Sequence, residues 1–356
     1  MHNGGRVFAA VSGGVDSSTT AGLLAKQGCQ CSGVFMITHD HAEAAQADAQ
    51  KACMQLGIPF YVADFRKEFE HEIISYFIGE YRIGRTPNPC VLCNRTKKFG
   101  RLWEFAKARG ADFIATGHYA KVKRADGCAG LYRAADTAKD QSYVLSMINR
   151  GVLEHLILPM AEFTKAHTRT IAAGLGLHTR DKADSQEICF IPDQDYAGLL
   201  QRRCPELARG GDVVDTGGNI LSRHEGIYRF TIGQRRGLRI ARGRPMYVVK
   251  IDAQNNTIVL GEKDDLLSDA LLATDVNWLI DVPAGPFEAQ VKIRYNYRGV
   301  SAVVYPQGDG RYVRVEFAEP VLAITPGQAA VFYIAQGQDW RVAGGGWISS
   351  DIKYQK

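Results

Sequence analysis

The chain has 356 residues, too many for one ordinary hydrophobic core and suited to two or three domains. Its 46% hydrophobic and 23% charged content is that of a water-soluble globular protein, and no apolar run approaches the ~20 residues of a membrane span. Residues 1–6 are polar and lack the zones of a signal peptide, so a cytoplasmic protein is expected. Lys and Arg exceed Asp and Glu by 43 − 38 = 5, which permits a polyanionic partner without requiring one. Eight cysteines without a secretory leader argue against a disulfide scaffold. Each is expected to be reduced, and by default a small buried apolar residue.

Arg6-Val-Phe-Ala-Ala-Val11 reads as a buried strand, followed by a Gly-rich turn and a helix ending near Gly28. Cys31-Ser-Gly-Val-Phe-Met36 is a second strand, and Ala42 to Leu56 a helix closed by Gly57 with Pro59 beyond it. Phe60-Tyr-Val62 and Asp112-Phe-Ile-Ala-Thr116 are further strands separated by helices. This order predicts an α/β domain with a parallel sheet covered on both faces, its binding site beyond the carboxyl ends of the strands. From about Gly210 the chain turns to short β-rich runs such as Tyr247–Ile251, Thr257–Leu260 and Tyr312–Phe317. Two small β-rich domains are expected there, giving a division into residues 1–204, 205–266 and 267–356.

Ser12-Gly-Gly-Val-Asp-Ser-Ser18 joins the first strand to the first helix. Two glycines allow a tight turn that aims N–H groups inward, three serines add hydroxyl donors, and the helix N-terminus favours an anion. The lysine of a Walker A loop is missing. The string is similar to the pyrophosphate-binding loop of the ATP pyrophosphatases, which cleave ATP to AMP and pyrophosphate. Such enzymes adenylate a carbonyl oxygen and so make it a leaving group; a nitrogen or sulfur nucleophile follows.

Gly84-Arg-Thr-Pro-Asn-Pro-Cys-Val-Leu-Cys-Asn-Arg95 carries a C-x-x-C in a Pro-rich loop before a helix. With Arg95, Lys97 and Lys98 close by, a lowered thiol pKa and more thiolate are expected. Cys189 lies far along the chain in Lys182-Ala-Asp-Ser-Gln-Glu-Ile-Cys-Phe-Ile191. Three cysteines make a poor complete zinc site, which takes four ligands. His39-Asp-His41 invites a metal reading, but closely spaced polar residues after a strand are more often a solvated loop.

Over nearly its whole length the chain resembles the tRNA-specific 2-thiouridylase family. The resemblance rests on Ser12–Ser18, Gly33–Met36, Gly84–Asn94, Ala115–Ala120, Lys139–Tyr143, Asp184–Phe190, Thr231–Gly237 and Thr325–Ala329, in that order. It implies an adenine-nucleotide alpha-hydrolase-like (Rossmann-like) domain followed by two small β-rich domains, the last a β-barrel. It implies that ATP, with Mg2+, is bound by Ala10, Val11, Ser12, Gly13, Gly14, Val15, Asp16, Ser17, Met36 and Gly117. Cys189 corresponds to a persulfide-carrying cysteine and Cys93 to its catalytic partner. Asn88, Pro89, Cys90, His118, Lys139, Asp140, Gln141, Arg294, Tyr295 and Gln328 correspond to residues that touch tRNA. The implied reaction adenylates O2 of a wobble uridine and replaces it with sulfur. That sulfur comes ultimately from a sulfurtransferase, a relay protein or inorganic sulfide. Many members have Asp where this chain has Cys90. The resulting triplet Cys90, Cys93 and Cys189 leaves open a 4Fe–4S cluster in place of a persulfide.

Val291-Lys-Ile-Arg-Tyr-Asn-Tyr-Arg298 alternates strictly, so a strand with Lys292, Arg294 and Arg298 on one basic face is predicted. Arg235, Arg236, Arg239, Arg242 and Arg244 add a basic run in the middle domain, and together these favour tRNA as partner. Two other readings remain: an ATP pyrophosphatase acting on a small carbonyl compound, and a tRNA-binding protein without catalysis.

Overall fold

A computed structural model of the chain describes residues 4–350 apart from 126, 183–187, 192–194, 239 and 241–243. Its first sheet contains β1 (Arg6–Ala10), β2 (Gln30–Ile37), β3 (Phe60–Asp64) and β4 (Phe113–Ala115). After a hairpin of β5 (Lys121–Ala125) and β6 (Cys128–Tyr132), the short β7 (Leu156–Ile157) completes it. All pairings are parallel, in the order β3-β2-β1-β4-β7. β1 shows why the strand reads as continuously apolar: Val7 and Ala9 pack into the core on one face, Phe8 into that on the other. The strand order reverses between β1 and β4, so the loops after them diverge and leave a crevice at the carboxyl edge.

Helix α1 (Val15–Lys26) follows β1 directly and is deeply buried although Ser17, Ser18, Thr19 and Thr20 lie within it. Burial is tolerated because hydroxyls return to the preceding turn: Ser18 Oγ donates to Gly14 O (2.9 Å) and Thr19 Oγ1 to Val15 O (2.7 Å). Helix α2 (Glu43–Leu56) ends on Gly57, whose φ of 65° is the left-handed conformation its sequence position suggests.

Residues 89–107 form one helical run. It opens with Asn88 accepting from Val91 N and Pro89 in the first turn, then widens into a π-helical stretch over Asn94–Arg101. The wide turn buries Asn94, Lys97 and Phe99. Asn94 donates to Val144 O (2.9 Å), and the ammonium of Lys97 meets Glu72 at 2.7 Å.

The middle sheet holds β8 (Gly211–Asp215), β9 (Ile220–His224), β10 (Tyr247–Asp252) and β11 (Thr257–Gly261) in the order β10-β11-β8-β9. The last six strands are β12 (Leu267–Trp278), β13 (Phe287–Lys292), β14 (Val300–Gln307), β15 (Tyr312–Leu322), β16 (Ala329–Gln336) and β17 (Asp339–Ile348). They close into a barrel because β12 pairs with both β15 and β17. The β5–β6 hairpin of the α/β domain extends this sheet, β6 pairing with β17 at Tyr132 and Arg341.

One expectation fails. Strand β13 ends at Lys292, and residues 293–297 are bends and turns in which Tyr297 N donates to Arg294 O at 3.1 Å. Ile293 is fully buried at the barrel's end, and the chain must then reverse to enter β14. The alternation of apolar and basic residues thus mimics a strand across a turn, and the single basic strand face does not form. In the middle domain, Arg239 and Arg242 lie outside the described residues, while Arg244 is ion-paired with Glu262.

Candidate functional site

The loop after β1 is held from several sides. Gly13 has a φ of +74°, and a Cβ there would stand 2.3 Å from the carbonyl oxygen of Ala45, so only glycine allows the turn to lie against α2. Ser17 Oγ accepts from Ser12 N (3.0 Å) and donates to Gly14 O (3.1 Å), which closes the loop on the first turn of α1. The first N–H groups of α1 have no intrahelical acceptor and point toward the loop's mouth. From the other side of the crevice Gly117 presses in: a Cβ there would meet Asp16 C and Ser17 N, each at 2.8 Å.

Asp16 stands in the first turn of α1, but its carboxylate is already engaged. Lys165 Nζ reaches both oxygens at 2.7 Å, and Tyr119 OH donates to Oδ1 at 2.9 Å. Tyr119 lies inside the Ala115–Ala120 string but carries no assigned role there, and no local pattern marks Lys165. They meet Asp16 from 103 and 149 residues away. A second bridge joins the loop to α2. Lys182 Nζ donates to Gly13 O (2.9 Å) and to Asp48 (2.6 Å), whose other oxygen faces His178 Nε2 at 3.2 Å. Lys182 and His178 hold the Asp48 carboxyl below its ordinary range.

The cysteine-bearing loop is where the three domains meet. Gly84 (φ +75°) packs against Ile251 of the middle domain, and Thr86 Oγ1 is 3.4 Å from Thr231 Oγ1. The barrel grips the same segment: Thr86 N donates to Pro326 O, and Gln328 Nε2 to Thr86 O (2.9 Å) and Pro87 O (3.1 Å). The strings around residues 84–88, 231–234 and 325–329, far apart in sequence, therefore build one support.

On that support stand Cys90 and Cys93, with Cys189 brought against them. The three thiols act on one another electrostatically, and Lys98 acts on all three. Of the nearby cations, Arg95 is paired with Asp275 (2.7 Å) and Lys97 with Glu72 (2.7 Å). The expected thiolate enrichment is not found. Burial pushes the Cys93 thiol up to about 12 and Cys189 to about 11, and raises Cys90 as well. Lys98 opposes this in each case, but desolvation is the larger effect. Cys90 and Cys189 still reach the surface, so accessibility and acidity part company here. The other residues of the Asp184–Glu187 string lie outside the described residues.

The two halves of the site are joined by His118. It directly follows Gly117, its Nδ1 is 2.7 Å from Thr116 Oγ1, and burial beside Lys98 holds the imidazole neutral. Gly117 thus lies against the loop, His118 follows it directly, and the charge of Lys98 acts on both His118 and the three thiols. Met36, at the end of β2, packs on the apolar cluster that includes Cys93 and Phe190.

Several residues expected to touch RNA have internal roles. Asp140 is buried and accepts from Ala134 N, Ser142 N and Ser142 Oγ. Gln141 accepts from Tyr119 N (2.9 Å), and Arg294 donates to Leu322 O (3.2 Å). Tyr295 packs 6.1 Å from the ring of buried Tyr143. Asn88, Pro89 and Cys90 begin the helical run beside Cys93, and Lys139 lies one residue before Asp140 with its N–H on Asp136 O. Of the His39–His41 stretch, Asp40 is ion-paired with Arg66 (2.8 Å), as a solvated loop would be. All eight cysteines are free thiols, and among the described residues no three His, Cys, Asp or Glu side chains are grouped to hold a metal ion. Among those residues, too, no helix is long and apolar enough to cross a membrane.

Three family models match successive parts of the chain. Residues 5–193 match the profile of a tRNA methyl transferase HUP domain, 198–262 that of a tRNA methyl transferase PRC-barrel domain, and 268–348 that of an aminomethyltransferase beta-barrel domain. The tRNA-specific 2-thiouridylase MnmA of Syntrophotalea carbinolica is 45% identical over 350 residues, covering 96% of this chain and 98% of that one. The protein of the same name from Carboxydothermus hydrogenoformans is 45% identical over 364 residues, covering 98% of each. Among solved structures, the U34-tRNA thiolase NcsA of Methanococcus maripaludis with its 4Fe–4S cluster is 17% identical. It covers 57% of this chain and 68% of that one, with a TM-score of 0.37, too distant a likeness to carry an argument.

Proposed function

The chain belongs to the tRNA-specific 2-thiouridylase family, and on that premise we propose that it is an ATP-dependent tRNA-uridine 2-sulfurtransferase. One observation carries the reading beyond the family name. The phosphate loop lies against Gly117, and the next residue, His118, shares the charge of Lys98 with three cysteines from distant parts of the chain. A site for activating an oxygen and a site for delivering sulfur are thus adjacent, which a simple ATP pyrophosphatase or an RNA-binding protein would not need.

ATP is the co-substrate, its phosphates received by the loop from Ala10 to Ser17 and the N-terminus of α1. O2 of a wobble uridine attacks the α-phosphorus, and pyrophosphate leaves. The terminal sulfur of a Cys189 persulfide then attacks C2. Cys93 attacks Sγ of Cys189, the S–S bond breaks toward the uridine sulfur, and AMP departs. The products are 2-thiouridine and a Cys93–Cys189 disulfide, which an external thiol reductant must reopen before Cys189 is reloaded. A raised value keeps Cys189 protonated and quiet until it carries a persulfide, a more acidic sulfur. Cys93, by contrast, must give its proton to solvent or to the departing phosphate as it attacks, a step its burial opposes. Magnesium would arrive with the nucleotide. Asp16, the loop's own carboxylate, is occupied by Lys165 and Tyr119, so no step is assigned to a protein-bound magnesium. The Cys90–Cys93–Cys189 set has the right donors for a cluster. Among the described residues no three such side chains are grouped to hold a metal ion, so no step is routed through iron.

The partners of this reading are a tRNA with a wobble uridine and a sulfur donor, and the protein works in the cytoplasm as units 1–204, 205–266 and 267–356. The test measures AMP and pyrophosphate from ATP with and without tRNA and a sulfur donor, and thiolated tRNA by mercury-gel retardation. Pyrophosphate release that ignores tRNA would favour the small-carbonyl reading. Tight tRNA binding without AMP formation would favour a non-catalytic protein.

A further inference from the structure

The nucleotide loop contains no lysine, and the cations nearest it in sequence, Arg6 and Lys26, stand at the start of β1 and at the far end of α1. Its acid, Asp16, is neutralised by Lys165. A triphosphate would therefore meet backbone N–H groups and hydroxyls but no free positive charge from the loop. The structure supplies one from elsewhere. Lys182 stands at the rim, with Nζ 2.9 Å from the carbonyl oxygen of Gly13 and 2.6 Å from Asp48. Two of its three N–H bonds are spent there, and among the described residues no acceptor is assigned to the third.

The position of Lys182 is fixed from behind. Its carbonyl accepts from Arg169 Nη2 (3.0 Å), and its N–H donates to Thr179 O. The preceding turn is tied to α2 by His178, whose ring meets both Gln55 (2.8 Å) and Asp48 (3.2 Å). Its partner Asp48 is easily given up: the two side chains are 42% and 34% exposed, and an ion pair so open to water is weak. A phosphate oxygen is the stronger competitor, being more highly charged and doubly placed by the loop's N–H groups.

We propose that Lys182 is the phosphate-facing cation of this nucleotide site, exchanging Asp48 for the β- and γ-phosphates of ATP. The proposal rests on the nucleotide reading of the loop. It gives the missing Walker-type lysine a source outside the loop. Release of pyrophosphate would then return Lys182 to Asp48.

The experiment uses the full chain and two ligands, α,β-methylene-ATP and AMP, with binding followed by calorimetry. Lys182→Met should weaken the triphosphate at least tenfold and leave AMP within twofold, and Lys182→Arg should recover most of the loss. Asp48→Asn should bind the triphosphate as well as the wild type or better. Equal triphosphate binding by wild type and Lys182→Met overturns the proposal. So does an equal loss of both ligands, which would mean a collapsed loop, or an Asp48→Asn variant as weak as Lys182→Met, which would mean a structural clamp. A wild type that binds neither ligand refutes the nucleotide reading itself, a distinct result, and removes the proposal with it.

Discussion

The nucleotide loop and the sulfur site sit side by side but are built by different rules. The loop is seven consecutive residues whose working groups are backbone N–H bonds, turned inward by Gly13 and the start of α1. The sulfur site is made of side chains from residues 90, 93, 98 and 189, on a support contributed by all three domains. A backbone site keeps its character wherever its strand and helix are formed. A thiol site takes its acidity from what is packed around it, and here the packing reverses what the neighbouring lysines suggest. Proximity of a cation is a local fact; desolvation is a global one.

The largest effect should fall on the sulfur side. Cys93→Ser and Cys189→Ser should each lower thiolation by roughly 10³-fold or more, because each removes a nucleophile rather than a contact. Cys90→Ser should keep substantial activity; losing both activity and iron in that variant would instead establish a three-cysteine cluster. Activity on mercury gels together with iron analysis reads the difference.

Gly117→Ala attacks the seam between the two sites. Its Cβ would lie 2.8 Å from backbone atoms of Asp16 and Ser17, which cannot swing aside as a side chain would. A cost of about 1–3 kcal/mol is expected, seen as weaker ATP binding or a lower melting temperature, with thiol reactivity unchanged. Unaltered nucleotide affinity and stability would show that the seam is looser than it looks.

The pH dependence separates the sites more gently. A thiol near 9 levels off in alkylation rate above that pH, whereas Cys189 at about 11 and Cys93 at about 12 should still be gaining close to tenfold per pH unit from about 9 to 10. The linkage has a definite sign. Both folded values lie above the unfolded one, so nothing is lost below pH 9, and stability falls as pH climbs from 9 toward 11–12. Serine at both positions should flatten that alkaline loss in a melting series, while Asp16→Asn should leave its slope alone.

The smallest effects belong to the barrel's basic residues. Arg298 is exposed, and its replacement by Ala should reduce the salt dependence of tRNA affinity by roughly one unit of slope if it meets a phosphate. Lys292 is half-buried over the rings of Tyr143 and Tyr295, so Lys292→Ala should change melting temperature more than the slope. Equal slope changes in the two variants would restore the single basic face that the turn after β13 removes.

Much of the architecture could be read along the chain, for reasons visible in particular elements. β1 is an unbroken apolar run because both its faces are covered, and Gly57 ends α2 because the chain there needs a positive φ. Residues 291–298 misled because alternation is also what a buried strand end followed by a turn produces. The β5–β6 hairpin gave no sign of its destination, since a strand's partners are not written in the strand.

Residue order alone carried the parallel α/β domain, because it follows from a periodicity of burial, and it carried the nucleotide loop and the three cysteines as strings that resemble those of a family. Folding in three dimensions settled everything that depends on distant neighbours. Lys165 and Tyr119 meet Asp16, Gln328 holds the loop before Cys90, and protein packed around Cys93 and Cys189 keeps their thiols protonated. Charge is a property of a residue, but how far it is screened, paired or desolvated is a property of the space around it.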